Sequence, residues 1–408
     1  MCAFPNKERV NSMGIILNYI EKTSDGKVKA YDTQKRFIEE YEFDTFGEFD
    51  DHKNDVQPKD KATLYAESKP SKADQIEISI KDISFRQNNS LFKYFMDGTR
   101  HVYKVGDIAI DGVVYPLAVG QIIVGYCGRE KRDIKIGLFR RFIVLAVPLQ
   151  YDTNHQGSNF FRHKCEELNA TIRESPLYTK FGIQLDSVIP YGKPGEGQGE
   201  MGRNKYLRLA VARIQNEMLD QERILVNDLV MSAKVSDNNE MLIKDGSIEY
   251  KKDFTNRPDE KALSTSKFAL NFQYVVGVSK MFDPELLGKR EPRIGTILAE
   301  LKPHHRTNAY QYYHEGKVYC VWYIRLRDII NRPNRYADII KVEMIMREGE
   351  PLKQSSLINS VSAHLINEAY PVCYGNDSRW ANHLYPVYVT ERFCKSMFFD
   401  EKIIIRMI

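Results

Sequence analysis

Two aspartates, each followed by a glycine, stand at the ends of two mostly apolar runs of the chain. Asp97 follows residues 91–96 and precedes Gly98, and Asp245 follows residues 241–244. A buried carboxylate is costly unless a cation or several donors meet it, and a glycine lets a backbone approach a phosphate closely. Two such strands side by side would present the paired carboxylates that a divalent-metal site needs. Each Asp-Gly pair could equally be a hairpin turn, and the sequence leaves this alternative open.

A third carboxylate is available on a long helix predicted over residues 203–231. With ~3.6 residues per turn, Glu222 lies about 50° from the centre of the apolar stripe and Glu217 about 90° from it. Either could lean towards the sheet edge where the two Asp-Gly strands end, although a glutamate in such a place is more often solvated. Lys280 ends a nearly continuous apolar strand, where it could neutralise a phosphate or mark the point at which the strand reaches water.

A glycine-rich segment, residues 192–202, fits the spacing of a dinucleotide-binding fingerprint at Gly197, Gly199 and Gly202. Its two glutamates would repel a pyrophosphate, and it lacks the Gly-Lys-Ser/Thr ending of a phosphate-binding loop. A dinucleotide-dependent enzyme is therefore disfavoured. We interpret the segment as a loop that could face DNA.

The order of predicted elements favours an α/β protein whose sheet is covered by helices. The first four strands are separated by short turns, which indicates an antiparallel meander. Strands are predicted at 91–97, 101–110, 115–126, 141–151, 181–190, 241–249, 271–280, 318–327 and 338–347. Helices are predicted at 12–22, 158–173, 203–231, 258–269, 354–369 and 386–398. We divide the chain into a partly acidic N-terminal extension, residues 1–85, and a main domain, residues 86–408, with a helical insertion around residues 155–235.

Composition narrows the class of protein. The chain has 408 residues, of which 42% are hydrophobic and 28% charged, so it can bury a large core. Its net charge of +4 is compatible with a nucleic-acid partner but does not demonstrate one. The six cysteines form no Cys-x-x-Cys pair, which argues against a zinc ribbon or a disulfide scaffold. Neither a signal-peptide core nor an apolar run of ~18 residues is present, so we expect no membrane span and a cytoplasmic location.

Taken in order, several short motifs resemble the NurA nuclease family over roughly residues 91–400. They are Asp97-Gly98-Thr99, the long glutamate-bearing helix, LIKDGSI at 242–248, VGVSK at 276–280 and WYIRLR at 322–327. The resemblance implies an RNase H-like core and a Mn²⁺- or Mg²⁺-dependent nuclease that acts on DNA ends. It also implies a dimer that works with a HerA-type hexameric ATPase, in DNA repair or in antiviral defence.

The resemblance also implies roles for individual residues. In that family the first aspartate, a helix glutamate and the second aspartate hold the metals. Here these are Asp97, Glu217 or Glu222, with Glu217 preferred, and Asp245, and Lys280 is the positively charged helper.

The chain departs from the family near its C-terminus. The Tyr-Pro segment that begins at Tyr385 lacks the histidine that normally follows it, and His383 or Glu391 could substitute. The departure motivates an alternative function, a catalytically weak DNA-binding subunit of a translocase assembly. The sequence as a whole predicts a metal-dependent DNA nuclease.

Overall fold

The structure is a computed structural model. It describes residues 14–24, 26–32, 64–79, 90–153, 156–192, 205–232, 234–235, 240–250, 265–284, 286–287, 291–314, 316–328, 334–347, 349–373 and 379–407. The glycine motif at 197–202, the acidic stretch at 39–60 and the start of the helix predicted at 258–269 lie outside the described residues.

The strands include every predicted one, with 91–97 and 101–110 joined, and four that the sequence did not predict, at 28–32, 75–77, 305–307 and 310–314. They are β1 (Val28–Asp32), β2 (Gln75–Glu77), β3 (Phe92–Ile110), β4 (Val113–Glu130), β5 (Asp133–Pro148), β6 (Ser187–Tyr191), β7 (Met241–Asp245), β8 (Val275–Ser279), β9 (His305–Thr307), β10 (Tyr310–His314), β11 (Lys317–Arg325) and β12 (Ile339–Met346). The helices are α1 (Ile15–Lys22), α2 (Ser158–Arg173), α3 (Pro176–Phe181), α4 (Lys205–Met231), α5 (Thr265–Phe272), α6 (Ile294–Glu300), α7 (Ser355–Glu368), α8 (Tyr385–Ser396) and α9 (Glu401–Met407).

The described strands join into a single mixed sheet, which helices flank. Its order is β2-β9-β11-β12-β8-β7-β3-β4-β5-β6, with β1 paired to β3 and β10 paired to β11. The strands β3, β4 and β5 form the expected antiparallel meander, whereas β7 runs parallel to β3 and β8 runs parallel to β7. The helix-rich region around residues 155–235 also supplies β6, which pairs in parallel with β5.

The central strands are buried on both faces, because neighbouring residues alternate between two cores. Met96, Leu242 and Val275 belong to the core that includes the apolar residues of α4, and Phe95, Ile243 and Val276 belong to the core that includes residues of α7 and α8. A third core lies at the other end of β3–β5, against α1 and α2. We call the two faces of the central sheet the α4 face and the α8 face.

The structure corrects one sequence-based prediction about the first Asp-Gly pair. Strands 91–97 and 101–110 are one strand, β3, which passes straight through Asp97 and Gly98, so this pair is not a hairpin turn. The chain turns instead at Asp111 and Gly112, both of which have positive φ. A glycine within a strand does not by itself end the strand. Gly98 lies opposite Val124, and the pairing of β3 with β4 continues on both sides of it.

The segment preceding residue 86 contributes to the same sheet. Strand β1 pairs with the last part of β3, from Gly106 to Ile110, and β2 pairs with β9 and forms one edge of the sheet. Ile16, Leu17 and Ile20 of α1 are fully or almost fully buried. The structure thus places part of the predicted extension in the main fold.

Candidate active site

Asp97 and Asp245 lie next to each other on neighbouring parallel strands. The register of β3 and β7 pairs Met96 with Lys244, and the two aspartates are the next residue of each strand. Strand β7 ends at Asp245, and Gly246 turns the chain away with a φ of 85°. Neighbouring strands are ~4.8 Å apart, so the pairing predicted from the sequence brings both carboxylates to one place.

Both aspartates lie on the α8 face. Asp97 alternates with Met96 and therefore shares the face of Phe95, and Asp245 shares the face of Ile243. Lys280, one residue past β8, joins them there. Its Nζ lies 2.7 Å from Oδ2 of Asp245 and 3.2 Å from Oε2 of Glu391, which α8 supplies.

Glu391 lies between two lysines. Its Oε2 contacts Lys280, and its Oε1 lies 2.8 Å from Nζ of Lys395. Burial raises the pKa of the Glu391 carboxyl, but the two ammonium groups outweigh burial and lower that pKa to about 2. Burial likewise lowers the pKa of Lys280, and the carboxylates of Asp245 and Glu391 raise it above its ordinary value. Both shifts favour the charged forms of Glu391 and Lys280 at neutral pH.

Glu222 approaches the same place from the α4 face. A Cβ on Gly98 would lie 3.0 Å from Cδ of Glu222 and closer still to Oε1, so the missing side chain of Gly98 makes room for this carboxylate. The Glu222 Oε2 atom lies 3.0 Å from Nζ of Lys244 as an ion pair, although its orientation does not satisfy hydrogen-bond geometry. Lys244 Nζ also donates a hydrogen bond of 2.8 Å to the carbonyl of Asp245.

Glu217 lies elsewhere on α4. Its Oε1 accepts a hydrogen bond from Gln221, and its Oε2 lies 3.5 Å from Arg213. Five residues of helix separate Glu217 from Glu222, which turns their side chains about 140° apart. They therefore cannot both point at Gly98. On this geometry we replace the preference for Glu217 with Glu222 in the proposal below.

Asp97 is the most isolated acid of the group. Its side chain is buried, and Oδ2 has no hydrogen-bond partner among the described residues. Burial, followed by the carboxylates of Asp245 and Glu391, raises the pKa of Asp97 well above its ordinary value. Burial also raises the pKa of Glu222. We call Asp97, Glu222, Asp245 and Glu391 the acidic centre.

His383 lies behind this centre. It is buried, with Nδ1 at 4.0 Å from Oε2 of Glu391 and its ring against that of Tyr388 at a centroid distance of 5.4 Å. Both C-terminal residues considered as substitutes for a missing histidine are therefore close to Lys280, and Glu391 is the one in direct contact with it.

A second polar cluster fixes the chain just after Asp245. The Oε2 of Glu343, on β12, accepts hydrogen bonds from Oγ of Ser247 at 2.8 Å and from the backbone N–H of Ile248 at 3.0 Å. Lys341 pairs with Glu343 and lies 3.3 Å from Glu249. This cluster holds the turn that begins at Gly246.

The acidic centre has the donors that a hard divalent cation prefers, namely carboxylate oxygens. The unpartnered Asp97 Oδ2 and the room that Gly98 leaves for Glu222 fit such an ion. In the described part of the chain, however, no three Asp, Glu, His or Cys side chains form a ready-made metal-binding group. The residues therefore fit a divalent cation in type, while Lys244 and Lys280 pair with two of the carboxylates.

Sequence reasoning did not single out Lys244. The available signal was a lysine directly before Asp245, inside an otherwise apolar strand of five residues. A buried lysine is rare unless it is paired. Glu391 was named as one of two substitutes, and its contact with Lys280 could not be read from the sequence because the two are 111 residues apart.

Comparison with known proteins adds little. No protein-family model matches the chain, and no curated protein matches it. Among solved structures, it is similar to "Crystal structure of the NurA nuclease from Sulfolobus solfataricus", with 12% sequence identity and a TM-score of 0.38 over 76% of this chain and 82% of that chain. Among the described helices, none has both the length and the apolar character of a membrane span.

Proposed function

We propose that this protein is a divalent-metal-dependent DNA nuclease whose acidic centre holds Mn²⁺ or Mg²⁺. One observation carries the proposal. Asp97 and Asp245 stand side by side on β3 and β7, and Asp97 Oδ2 is buried without a hydrogen-bond partner among the described residues. Glu222 lies beside Gly98 on the opposite, α4 face of the same strands. A buried carboxylate without a partner is costly unless a cation meets it.

The three proposed metal ligands are Asp97, Glu222 and Asp245. When bound there, a divalent cation would supply an activated water and would offset negative charge on the phosphate. The chain's own residues supply the rest of the site. Lys280, anchored by Glu391, places a fixed positive charge beside Asp245, where it can neutralise a phosphate oxygen. His383 lies behind Glu391, with its Nδ1 4.0 Å from Oε2 of that residue.

The strand order supports an RNase H-like core for this nuclease. The antiparallel meander β5-β4-β3 is continued by the parallel strands β7 and β8. Helix α4 precedes β7 along the chain and packs against β3 and β4. We further propose that the protein acts on DNA ends in the cytoplasm as a dimer with a HerA-type hexameric ATPase, in DNA repair or antiviral defence.

Cleavage of linear DNA tests the proposal. The purified protein, alone and with a HerA-type ATPase, is incubated with end-labelled single- and double-stranded DNA in Mn²⁺, in Mg²⁺ or in EDTA. We expect cleavage that requires the metal and is lost in Asp97→Asn, which preserves side-chain size. Asp220→Asn on α4 is the matched control. Asp220 pairs with Arg223, so we expect this variant to cleave DNA like the unaltered protein.

Other outcomes of the same assay would contradict the proposed nuclease function. Metal-independent cleavage, or cleavage retained in Asp97→Asn, would remove the acidic centre from the reaction. DNA binding without cleavage, even with the ATPase present, would favour the non-catalytic DNA-binding subunit. The pairing of Lys244 and Lys280 with carboxylates of the centre is the observation that keeps this second candidate open.

A further inference from the structure

We propose that Lys244 is a resident counter-cation of the acidic centre, which positions Glu222 in the metal-free protein and competes with the divalent ion for it. The inference rests on the proposed function and adds a residue that sets metal affinity. Lys244 would act through Glu222 and is therefore a positioning residue.

The ion pair between Lys244 and Glu222 is buried. Lys244 is 2% exposed and Glu222 1% exposed, and they come from β7 and α4. An ammonium and a carboxylate removed from water lose their hydration, so each needs the charge of the other. In the metal-free protein the ammonium of Lys244 lies 3.0 Å from Oε2 of Glu222 and supplies this positive charge.

The ammonium of Lys244 also contacts the end of β7. Nζ of Lys244 donates to the carbonyl of Asp245 at 2.8 Å, and the ring centroid of Tyr250 lies 5.9 Å away. One group therefore links the backbone of one proposed ligand to the carboxylate of another. The link fixes the relative position of α4 and the end of β7.

The Glu222 carboxylate cannot bind Lys244 and a divalent ion equally well at the same time. A metal ion binds a carboxylate oxygen at about 2.0–2.2 Å, whereas Lys244 lies at 3.0 Å from Oε2. A divalent ion near Glu222 would bring two positive charges to a place that Lys244 already neutralises. Lys280 has the same relation to Asp245 on the α8 face, at 2.7 Å.

The consequence is that removal of Lys244 should make the fold depend on the metal. Without the ammonium, Glu222 is a buried carboxylate with a missing partner, and a divalent ion is the cation that can replace it. The unaltered protein should gain less from Mn²⁺, because its Glu222 and Asp245 are already paired with lysines.

Thermal unfolding in EDTA and in excess MnCl₂ tests the inference without any cleavage assay. Lys244→Met should lower the Tm in EDTA by several degrees and should show a Mn²⁺-induced rise in Tm several degrees larger than that of the unaltered protein. Lys244→Gln, which removes the charge and keeps an N–H donor on a side chain one atom shorter, is the second variant in case Lys244→Met does not fold. The double variant Glu222→Gln/Lys244→Met should lose the extra Mn²⁺ effect.

Lys341→Met is the matched control. Lys341 is also buried and pairs with Glu249 and Glu343, so its loss should lower the Tm in EDTA without enlarging the Mn²⁺ effect. An equal Mn²⁺ effect in the Lys244 variants and the unaltered protein overturns the inference, as does an enlarged effect in Lys341→Met. Such a result leaves metal-dependent cleavage intact, whereas failure of the proposed function appears as absence of that cleavage.

Discussion

Gly98 and Glu222 are complementary in shape, since the carboxylate of Glu222 occupies the space that a side chain at position 98 would fill. A Cβ at Gly98 would lie 3.0 Å from Cδ and 3.1 Å from Cγ of Glu222, inside ordinary contact distance. The relation joins the strand that carries Asp97 to the helix that carries the third carboxylate. Four predictions follow from this site and from its surroundings.

Gly98→Ala should displace Glu222 and reduce metal-dependent cleavage. Overpacking of a buried site costs about 1–3 kcal/mol, which we expect as a lowered free energy of unfolding in urea. The matched control is Gly128→Ala on β4, where the nearest atom to an added Cβ is 3.7 Å away. Equal cleavage by Gly98→Ala and the unaltered protein would show that the position of Glu222 does not matter.

Glu222→Gln should reduce cleavage at least about a hundredfold, because loss of one ligand charge removes several kcal/mol of metal and transition-state stabilisation. Glu217→Gln should retain most activity, since Glu217 pairs with Arg213 and Gln221 away from Gly98. Initial rates at saturating Mn²⁺ measure the difference. The reverse ranking of the two variants would restore the assignment that the sequence preferred.

Asp97→Asn should stabilise the metal-free protein while it abolishes activity. The Oδ2 atom of Asp97 is buried without a hydrogen-bond partner, beside other carboxylates. An amide at this position would present N–H donors to those carboxylates and should raise the free energy of unfolding in EDTA by about 1–3 kcal/mol. Urea unfolding in EDTA measures the gain in the free energy of unfolding. A lower free energy of unfolding in the variant would contradict the unfavourable burial of the Asp97 carboxylate.

Glu249→Gln should flatten the dependence of stability on pH. Burial, followed by the neighbouring Glu343 carboxylate, raises the pKa of Glu249 to about 8. Between about pH 4.5 and 8 the folded state therefore keeps a proton that the unfolded state has released, so stability falls as the pH rises through this window. Urea unfolding at a series of pH values should show a shallower fall for the variant, and an unchanged slope would contradict the raised pKa.

The sequence predicted the local structure and the meeting of the two aspartates well. The helix predicted at 158–173 is Ser158–Arg173, and the apolar runs predicted as strands 241–249 and 271–280 contain β7 (Met241–Asp245) and β8 (Val275–Ser279). Asp97 and Asp245 could be paired because both follow apolar strands, and parallel strands align such ends. The role of Asp97 in binding a metal stays a prediction.

Three features could be recognised only in the folded structure. Strand β3 continues through Gly98 because β4 pairs with it throughout, and no local signal reveals that partner. The choice between Glu217 and Glu222 depends on the rotation of α4 about its axis, which packing determines and the apolar stripe only approximates. Lys244 and Glu391 become significant through contacts between residues distant in sequence, and these contacts exist only after the sheet has formed.

The pairing of β1 with β3 and of β2 with β9 limits how the chain can be shortened. A recombinant fragment that starts at residue 86 would leave the last five residues of β3 and the outer side of β9 without their bonded neighbours. Exposed strand edges promote aggregation. Anyone preparing material for crystallography or assays should therefore retain the N-terminal segment, even where the goal is only residues 86–408.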